Sequence, residues 1–335
     1  MDMTNENTSL YSRLCEPEFL YNSWLRVARK NGASGVDSQG TREFGNSLDK
    51  NISKIARALE QETYEPAPLR SVEIPKEQKG KFRRLGIPTI QDRIVFQGVN
   101  MLLQEAWISR FSPLSFAYRP NVGVSDAIRA VSDLVKSGKY WFVKGDIRGC
   151  FDELNWDILS KTLGDWLNDE PLRHLINKAL RVPVVFEGRI APRHKGVPQG
   201  SPLSPILANL YLHAFDYEML SNHFPLIRYG DDWVTLTRSE DEAEDAYRTA
   251  EAALSRLLIE INTQKSGIGS LEEESIVFLG HKIDANGIDA GPNGWRRFAR
   301  ALSDLKSART QDELSRAKGE LNSLKSFYRN AGTIQ

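Results

Sequence analysis

The sequence predicts an α+β fold in which helices cover one face of a sheet, and three observations support this. Segments with apolar residues at helical spacing alternate with short β-rich runs, in the order helix, strand, helix, hairpin, helix, strand. The chain has 335 residues, 40% of them hydrophobic, so it can bury a large core. No run approaches the roughly 18 apolar residues of a membrane span, and the polar start MDMTNENTSL has no signal-peptide core. We therefore expect a cytoplasmic protein that does not contact membranes.

The first 135 residues are predicted to be mainly helical, with one long hairpin. Residues 1–18 are expected to form a loose arm. Apolar residues at helical spacing predict helices over 42–60, 91–110 and 124–135, the last with Ser125 as its N-cap. Six Pro and Gly residues interrupt 64–90, which predicts an irregular hairpin with a solvent-facing tip.

The next segments alternate between strands and helices. Residues 140–147 (YWFVKGDI) predict a strand that delivers Asp146 at its end, and a helical pattern follows over 154–167. A small hairpin is expected over 182–190, turning near Glu187 and Gly188. An apolar helix is expected over 202–220.

Residues 226–237 (LIRYGDDWVTLT) carry the pattern of a tight hairpin. Two β-favouring runs flank Gly230, Asp231 and Asp232, which predicts two carboxylates at the turn. A helix over 239–258, a strand over 275–283 and a final pair of helices complete the predicted elements.

Charge is balanced over the whole chain but unevenly distributed. There are 44 basic and 44 acidic residues, yet 70–93 holds seven basic against three acidic residues, and 295–335 holds nine against four. Such segregation is typical both of nucleic-acid contacts and of solvated helix faces, so charge alone leaves both interpretations open. Two cysteines, Cys15 and Cys150, are too few for a disulfide framework or a thiolate zinc site. The five histidines stand apart in the sequence, which also argues against a zinc site.

Three acidic residues point to a divalent metal. Two adjacent carboxylates at a turn repel each other unless a cation neutralises them. Asp146 at the end of another strand would add a third hard oxygen donor beside Asp231 and Asp232, and such donors favour Mg²⁺ over softer metals. A solvated turn is the alternative interpretation of the Asp pair alone.

Six segments carry motifs in a fixed order along the chain: NGASGVD (31–37), IPKEQKGKFRRLGIPTIQDRIVFQ (74–97), GDIRGCFDELNWDIL (145–159), GVPQGSPLSPILANLYLHAFD (196–216), RYGDDWV (228–234) and FLGHKI (278–283). In this order they resemble the boxes of reverse transcriptases, specifically those of the bacterial group II intron-like lineage. The likeness covers roughly residues 30–285. It implies a right-hand polymerase fold with fingers, palm and short helical thumb, and an RNA-directed DNA polymerase.

The resemblance also implies roles for individual residues. Asp146, Asp231, Asp232 and the carbonyl of Ile147 would hold two Mg²⁺ ions, with Mn²⁺ as an alternative metal, and Lys265 would protonate pyrophosphate. Lys76 and Arg83 would bind the triphosphate, while Gln199 and Gly200 would line the nascent base pair. Phe151 would exclude the 2′-hydroxyl of ribonucleotides. A solvated surface lysine is the alternative for Lys265, and a simple core position for Phe151.

The implied organisation is an N-terminal arm (1–30), fingers with the start of the palm (31–139), a catalytic palm (140–290) that includes the region 196–222, and a short thumb (291–335). Arg296, Arg297 and Arg300 are predicted to contact nucleic acid from the thumb, with a solvated helix face as the alternative. Expected partners are an RNA template, the DNA product and deoxynucleoside triphosphates. A role in phage defence with a non-coding RNA template is a further expectation.

Two positions depart from the family pattern, and one of them, Gly230, keeps an RNA product open. Gly230 stands where the related intron enzymes usually carry Ala, and Gly at this position also occurs in RNA-synthesising polymerases. Arg84 stands where relatives usually have Pro, so its role is open. The alternatives are an RNA-synthesising or template-independent nucleotidyltransferase on the same site, and a non-catalytic RNA-binding scaffold. The sequence does not indicate whether priming uses a nucleic acid or a protein hydroxyl.

Overall fold

The computed structural model describes residues 9–30, 32–75 and 82–330. Most predicted helices are present. The helices in these ranges are Leu10–Cys15 (α1), Pro17–Lys30 (α2), Thr41–Gly45 (α3), Leu48–Glu60 (α4), Ile90–Trp107 (α5), Val124–Lys136 (α6), Cys150–Glu153 (α7), Trp156–Trp166 (α8), Glu170–Arg181 (α9), Ser204–Ser221 (α10), Glu240–Arg256 (α11), Pro292–Ser307 (α12) and Gln311–Asn330 (α13).

The strands form separate sheets. They are Leu69–Pro75 (β1), Phe82–Ile87 (β2), Trp141–Asp146 (β3), Val184–Phe186 (β4), Arg189–Ala191 (β5), Ile227–Tyr229 (β6), Asp232–Thr237 (β7), Gly267–Ser270 (β8), Ile276–Phe278 (β9), His281–Asp284 (β10) and Gly287–Ala290 (β11). The sheet orders are β2-β1-β4-β5, β6-β7-β3-β8 and β11-β10-β9.

The chain divides into two compact units. The first unit comprises the described residues up to Phe111 together with Gly149–Leu212, and the second comprises Ser112–Arg148 together with the described residues from His213 onward. The boundaries expected for arm, fingers, palm and thumb stay a prediction.

The sheet β6-β7-β3-β8 forms the centre of the second unit, and both of its faces are packed against helices. On one face, Phe142, Val234 and Leu236 share a core with Ile128 and Val131 of α6. Side chains alternate between the two faces of a strand. Trp233 therefore points to the other face, where its ring meets Phe215 of α10 at 5.5 Å. The prediction of helices on one face only is wrong, because the runs around these residues are apolar on both faces.

Gly145 permits this close packing beside Asp146. A Cβ atom at position 145 would overlap the indole ring of Trp233, which lies directly opposite across β3 and β7. Because residue 145 has no Cβ atom, the Trp233 ring has room to pack against the end of β3, next to Asp146.

Several predicted elements are corrected by the structure. Residues 10–18 are not a loose arm: α1 and the start of α2 bury Leu14, which is fully shielded from solvent. Ser125 is not an N-cap, since the N-cap of α6 is Gly123, whose amide donates to the Asp126 carboxylate. The helix predicted over 42–60 is two helices, α3 and α4, separated at residues 46–47.

The strand predicted over 275–283 is two short antiparallel strands, β9 and β10. Leu279 and Gly280 both have positive φ angles, 49° and 81°, which suits a two-residue hairpin turn. The fourth strand of the central sheet is β8 (GIGS) instead. The sequence pattern did not predict this strand because two of its four residues are glycines, which are depleted in strands.

The first unit contains the predicted basic hairpin. Strands β1 and β2 pair antiparallel, and β1 also pairs in parallel with β4. The hairpin predicted over 182–190 is confirmed, with Glu187 and Gly188 at positive φ in its turn. The tip of the β1–β2 hairpin, including Lys76, lies outside the described residues.

Candidate active site

The hairpin of β6 and β7 presents two neighbouring carboxylates. Tyr229 pairs with Asp232, so Gly230 and Asp231 alone form the turn. Gly230 has φ +71°, a backbone conformation that costs a residue with a Cβ atom about 1–2 kcal/mol. Only Asp231 lies in the turn, whereas Asp232 is the first residue of β7, which corrects the expectation of two turn carboxylates.

Asp146 lies directly across the sheet from Asp232. The antiparallel register of β3 and β7 pairs these two residues, and the Ile147 amide donates to the Asp231 carbonyl at 3.0 Å. Side chains paired in this way have Cβ atoms about 4.5–5.5 Å apart, so like charges there repel. The fold therefore places the three acidic residues that the sequence singled out at neighbouring backbone positions of one end of the sheet.

Burial and the neighbouring carboxylates make Asp232 a weaker acid. Burial, reinforced by the nearby charges of Asp146 and Asp231, raises the pKa of Asp232 to about 6. Lys144 and Lys265 act in the opposite direction. Additional positive charge at this end of the sheet would relieve the remaining repulsion.

Side chains from the segment 262–266 contact Asp146. Asn262 Nδ2 donates to Asp146 Oδ1 at 2.9 Å, and Lys265 Nζ donates to Oδ2 at 2.9 Å. The Asp146 amide donates to Ser266 Oγ at 3.0 Å. Lys265 thus lies at the site, although this contact does not test the predicted protonation of pyrophosphate.

The carboxylates fit Mg²⁺ by donor type, but they do not converge into a closed cage. Within the ranges 9–30, 32–75 and 82–330, no three His, Cys, Asp or Glu side chains come together closely enough to enclose a metal. Both oxygens of Asp146 accept protein N–H groups instead. Hard oxygen donors still suit Mg²⁺, which keeps several waters and needs few protein ligands. Ile147, whose carbonyl is the fourth predicted ligand, is 1% exposed.

A buried ion pair supports the turn of the hairpin, and the sequence analysis missed it. Arg228 Nε and Nη2 donate to the two oxygens of Asp216, both at 2.6 Å, and neither side chain is more than 1% exposed. Arg228 Nη1 also donates to the Gly230 carbonyl at 3.0 Å, and Nη2 to Ser115 Oγ at 2.9 Å. Charged residues inside apolar runs, such as LIRY and YLHAFD, are rarely buried unless they are paired, and this was the available signal.

Four of the predicted nucleotide-binding residues lie in the first unit, on segments that hydrogen-bond to one another. The Gly86 amide on β2 donates to the Gln199 carbonyl at 2.8 Å, and the Val197 amide donates to the Phe151 carbonyl at 2.7 Å. Gln199 Nε2 donates to Asp152 at 3.1 Å. Gly200 has φ +110°, and a Cβ there would press on the Gly86 carbonyl at 3.1 Å. These contacts join β2, α7 and the loop at 196–200.

The two neighbouring arginines of β2 differ in their surroundings. Arg83 is exposed, and strand alternation turns it to the face opposite Arg84. Arg84 pairs with Glu73 at 2.9 Å and lies 5.4 Å from the Phe186 ring. The structure therefore gives Arg84, whose role the sequence left open, contacts within its own sheet.

The predicted thumb arginines lie on α12. Arg296, Arg297 and Arg300 are all exposed, while Arg297 meets Glu320 at 3.4 Å and Arg300 meets Asp304 at 4.0 Å. The opposite side of α12 packs on α13 through a small core that includes Phe298. The exposed side of α12 is thus basic.

A family model for "Reverse transcriptase (RNA-dependent DNA polymerase)" matches residues 74–283, which is more than half of the chain. The chain belongs to the reverse transcriptase family. The resemblance stated from the sequence motifs is thereby confirmed. The matched range contains all three carboxylates of the candidate active site.

Relatives of known name place the chain near the group II intron-encoded reverse transcriptases. It is 32% identical to the Group II intron-encoded protein LtrA of Lactococcus lactis subsp. cremoris over 228 residues, which cover 68% of this chain and 38% of LtrA. It is 26% identical to Protein YkfC of Escherichia coli K12, in a match that covers 81% of each chain. The match to LtrA therefore spans well under half of that protein's length.

A solved structure shares the fold. Telomerase from Candida albicans, solved with a fragment of telomeric RNA, superposes with a TM-score of 0.60 at 14% identity, over 87% of this chain and 59% of that chain. The right-hand polymerase fold is thereby confirmed. No helix among the residues that the model describes has the length and apolar character to cross a membrane.

Proposed function

We propose that this reverse transcriptase is an RNA-directed DNA polymerase whose divalent ions are held by Asp146, Asp231, Asp232 and the carbonyl of Ile147. The observation that carries the proposal is the pairing of Asp146 with Asp232 across β3 and β7, with Asp231 in the adjoining turn. When bound, two Mg²⁺ ions, or Mn²⁺ as the alternative, activate a 3′-hydroxyl and neutralise the departing pyrophosphate.

The chain's own residues complete the proposed reaction. Arg83, with Lys76, donates charge-assisted hydrogen bonds to the triphosphate, which hold it for in-line displacement. Gln199 and Gly200 contact the nascent base pair. Lys265 has two candidate roles, donation of a proton to pyrophosphate and support of Asp146, which experiments can separate.

Primer extension tests this function directly. Purified protein with Mg²⁺ is expected to extend a DNA primer on an RNA template using deoxynucleotides, and less well with ribonucleotides. Preference for ribonucleotides would favour an RNA-synthesising enzyme, and extension without a template would favour a template-independent transferase. No synthesis with either metal or either nucleotide class would leave the non-catalytic RNA-binding scaffold.

The natural template and biological role are further proposals. A non-coding RNA template and a part in phage defence rest on the resemblance alone, and a cytoplasmic location rests on the sequence pattern alone. Sequencing the nucleic acid that copurifies with the protein would identify a dedicated template. A mixture of cellular RNAs without enrichment of one species would contradict it.

Replacing Phe151 with Val should relax sugar selection. Loss of the ring removes a steric barrier to the 2′-hydroxyl, and such differences are worth about 10- to 200-fold. We expect the ratio of ribonucleotide to deoxynucleotide incorporation, measured as kcat/KM for each, to rise at least tenfold. The control is Phe327→Val, which removes an exposed aromatic ring from α13. An unchanged ratio in the Phe151 variant would leave this residue as a packing residue only.

Neutralising Arg296, Arg297 and Arg300 together should weaken template binding for every sequence alike. Phosphate contacts release counterions, so each lost contact lowers the slope of log affinity against log salt by about one. We expect a slope flattened by about two to three, measured by fluorescence anisotropy at several salt concentrations.

The control variant neutralises Arg238, Arg248 and Arg256, which lie on or beside the acidic helix α11. It removes the same number of positive charges as the α12 variant. Equal salt slopes for the α12 variant and the wild type would assign these arginines to a solvated helix face.

A further inference from the structure

Asp146 is enclosed by one short segment, residues 262–266, which contacts it through backbone and side chain. The Asn262 amide donates to the Asp146 carbonyl at 2.8 Å, while the Asp146 amide donates to Ser266 Oγ at 3.0 Å. The Lys265 amide donates to the Asn262 carbonyl at 2.9 Å, which closes the segment into a turn. Directly after it, β8 pairs with β3. The segment is therefore fixed to the strand that carries Asp146.

The two oxygens of the Asp146 carboxylate have different kinds of partner. Oδ1 accepts from Asn262 Nδ2, a neutral amide whose own backbone is tied to Asp146. Oδ2 accepts from Lys265 Nζ, an ammonium at the end of a flexible stem. The Asp146 side chain is 13% exposed, whereas that of Lys265 is 59% exposed. One partner is held in place, and the other can leave into solvent.

We propose that Asn262 is a positioning residue that holds the Asp146 carboxylate in one orientation, and that the Lys265 ammonium occupies the second oxygen until a divalent cation replaces it. The proposal deepens the proposed function, because it rests on Asp146 being a metal ligand. It gives Lys265 a part in metal exchange, in addition to or instead of proton donation.

Charge and geometry favour this exchange. The Lys265 ammonium is exposed to water, which weakens its attraction to the carboxylate, so a dication that also contacts Asp231 and Asp232 outcompetes it. The Asn262 amide carries no charge and does not repel the incoming ion. Its hydrogen bond removes rotational freedom from Asp146 before the ion arrives, which lowers the entropic cost of binding. Lys144 is the other lysine near the carboxylates, and its positive charge favours the ionised form of Asp232.

Mn²⁺ binding measured by electron paramagnetic resonance tests the proposal without any need for catalysis. Lys265→Met should bind Mn²⁺ about two- to fivefold more tightly than wild type, because the competing cation is gone. Asn262→Ala should bind it about threefold more weakly, because Asp146 is no longer held. Matched controls are Lys282→Met, which removes a lysine paired with Asp284 at 3.1 Å, and Asn222→Ala, which removes an amide bonded to the Glu218 carbonyl.

A kinetic measurement adds a second readout. Asn262→Ala should raise the Mg²⁺ concentration for half-maximal synthesis with no change in the KM of the deoxynucleotide. Asn262→Ser, smaller but polar, serves if circular dichroism shows that the Ala variant does not fold. Wild-type Mn²⁺ affinity in Lys265→Met, or in a folded Asn262 variant, would overturn the proposal. The expected binding pattern without any DNA synthesis by the wild type would instead contradict the proposed polymerase function and leave the metal-exchange proposal standing.

Discussion

Replacing Asp231 with Asn is expected to abolish DNA synthesis while leaving the fold intact. Asn has almost the same shape as Asp, and the backbone bond from the Ile147 amide to the carbonyl of residue 231 is unaffected by the change. The variant lacks one of three charges that we propose hold the divalent ions. Metal ions supply several kcal/mol of transition-state stabilisation, and each 1.36 kcal/mol is a factor of ten in rate. We therefore expect a loss on the order of a thousandfold or more in kcat, measured by primer extension.

Asp284→Asn is the matched control for this variant. It makes the same chemical change on β10, where Asp284 pairs with Lys282. Its rate should equal that of the wild type, and both variants should show wild-type circular dichroism and melting. Wild-type synthesis by Asp231→Asn in Mg²⁺ would disprove the assignment of the metal site.

Replacing Asp216 with Ala is expected to destabilise the protein by about 3–5 kcal/mol. This change leaves the guanidinium of Arg228, which is fully buried, without its carboxylate. Loss of one partner from a buried ion pair costs this much because an uncompensated charge remains in the interior. Chemical denaturation should show a large fall in the unfolding midpoint at an unchanged slope.

Two further variants separate the possible causes of this effect. Asp245→Ala breaks the exposed pair with Arg248, in which both side chains are 64% exposed, and should leave the midpoint unchanged. The double variant Asp216→Leu/Arg228→Met removes both charges and should recover most of the stability, since apolar replacements of buried pairs are often neutral.

The double variant also isolates the contact between Arg228 and the turn. The Gly230 carbonyl loses its donor, so Asp231 is held less firmly. Misplacement by 1 Å can cost about a hundredfold in rate, and we expect at least a tenfold loss of kcat in a well-folded protein. Full activity in the double variant would show that Arg228 serves stability alone.

Residues adjacent in sequence were the easiest part of the site to predict. Asp231 and Asp232 lie between two β-favouring runs, and Asp146 ends a third, so local pattern alone indicated two carboxylates in a hairpin turn and one at a strand end. The family motifs added Phe151, Gln199 and Arg83. In the structure β7 begins at Asp232, one residue earlier than predicted. Hydrophobic patterning does not locate the start of a strand to a single residue.

Contacts between distant residues were not predictable in this way. Asn262 and Lys265 reach Asp146 across more than a hundred residues, and Asp216 meets Arg228 from a different element. The strand β8 has two glycines and little β propensity, and it becomes a strand only because β3 offers an unpaired edge. The two-sided burial of the central sheet likewise depends on where Phe215 and α6 pack.

The amino-acid sequence by itself determined the family, the helices with strong apolar periodicity and the three carboxylates, because these depend on residue type and short spacing. Only the tertiary structure decided the pairing of Asp146 with Asp232, the contacts of Asn262 and Lys265 with Asp146, and the buried pair that supports Gly230. The physical reason is that charge neutralisation acts through space. A carboxylate takes the nearest available donor, and strand register and burial decide which donor that is.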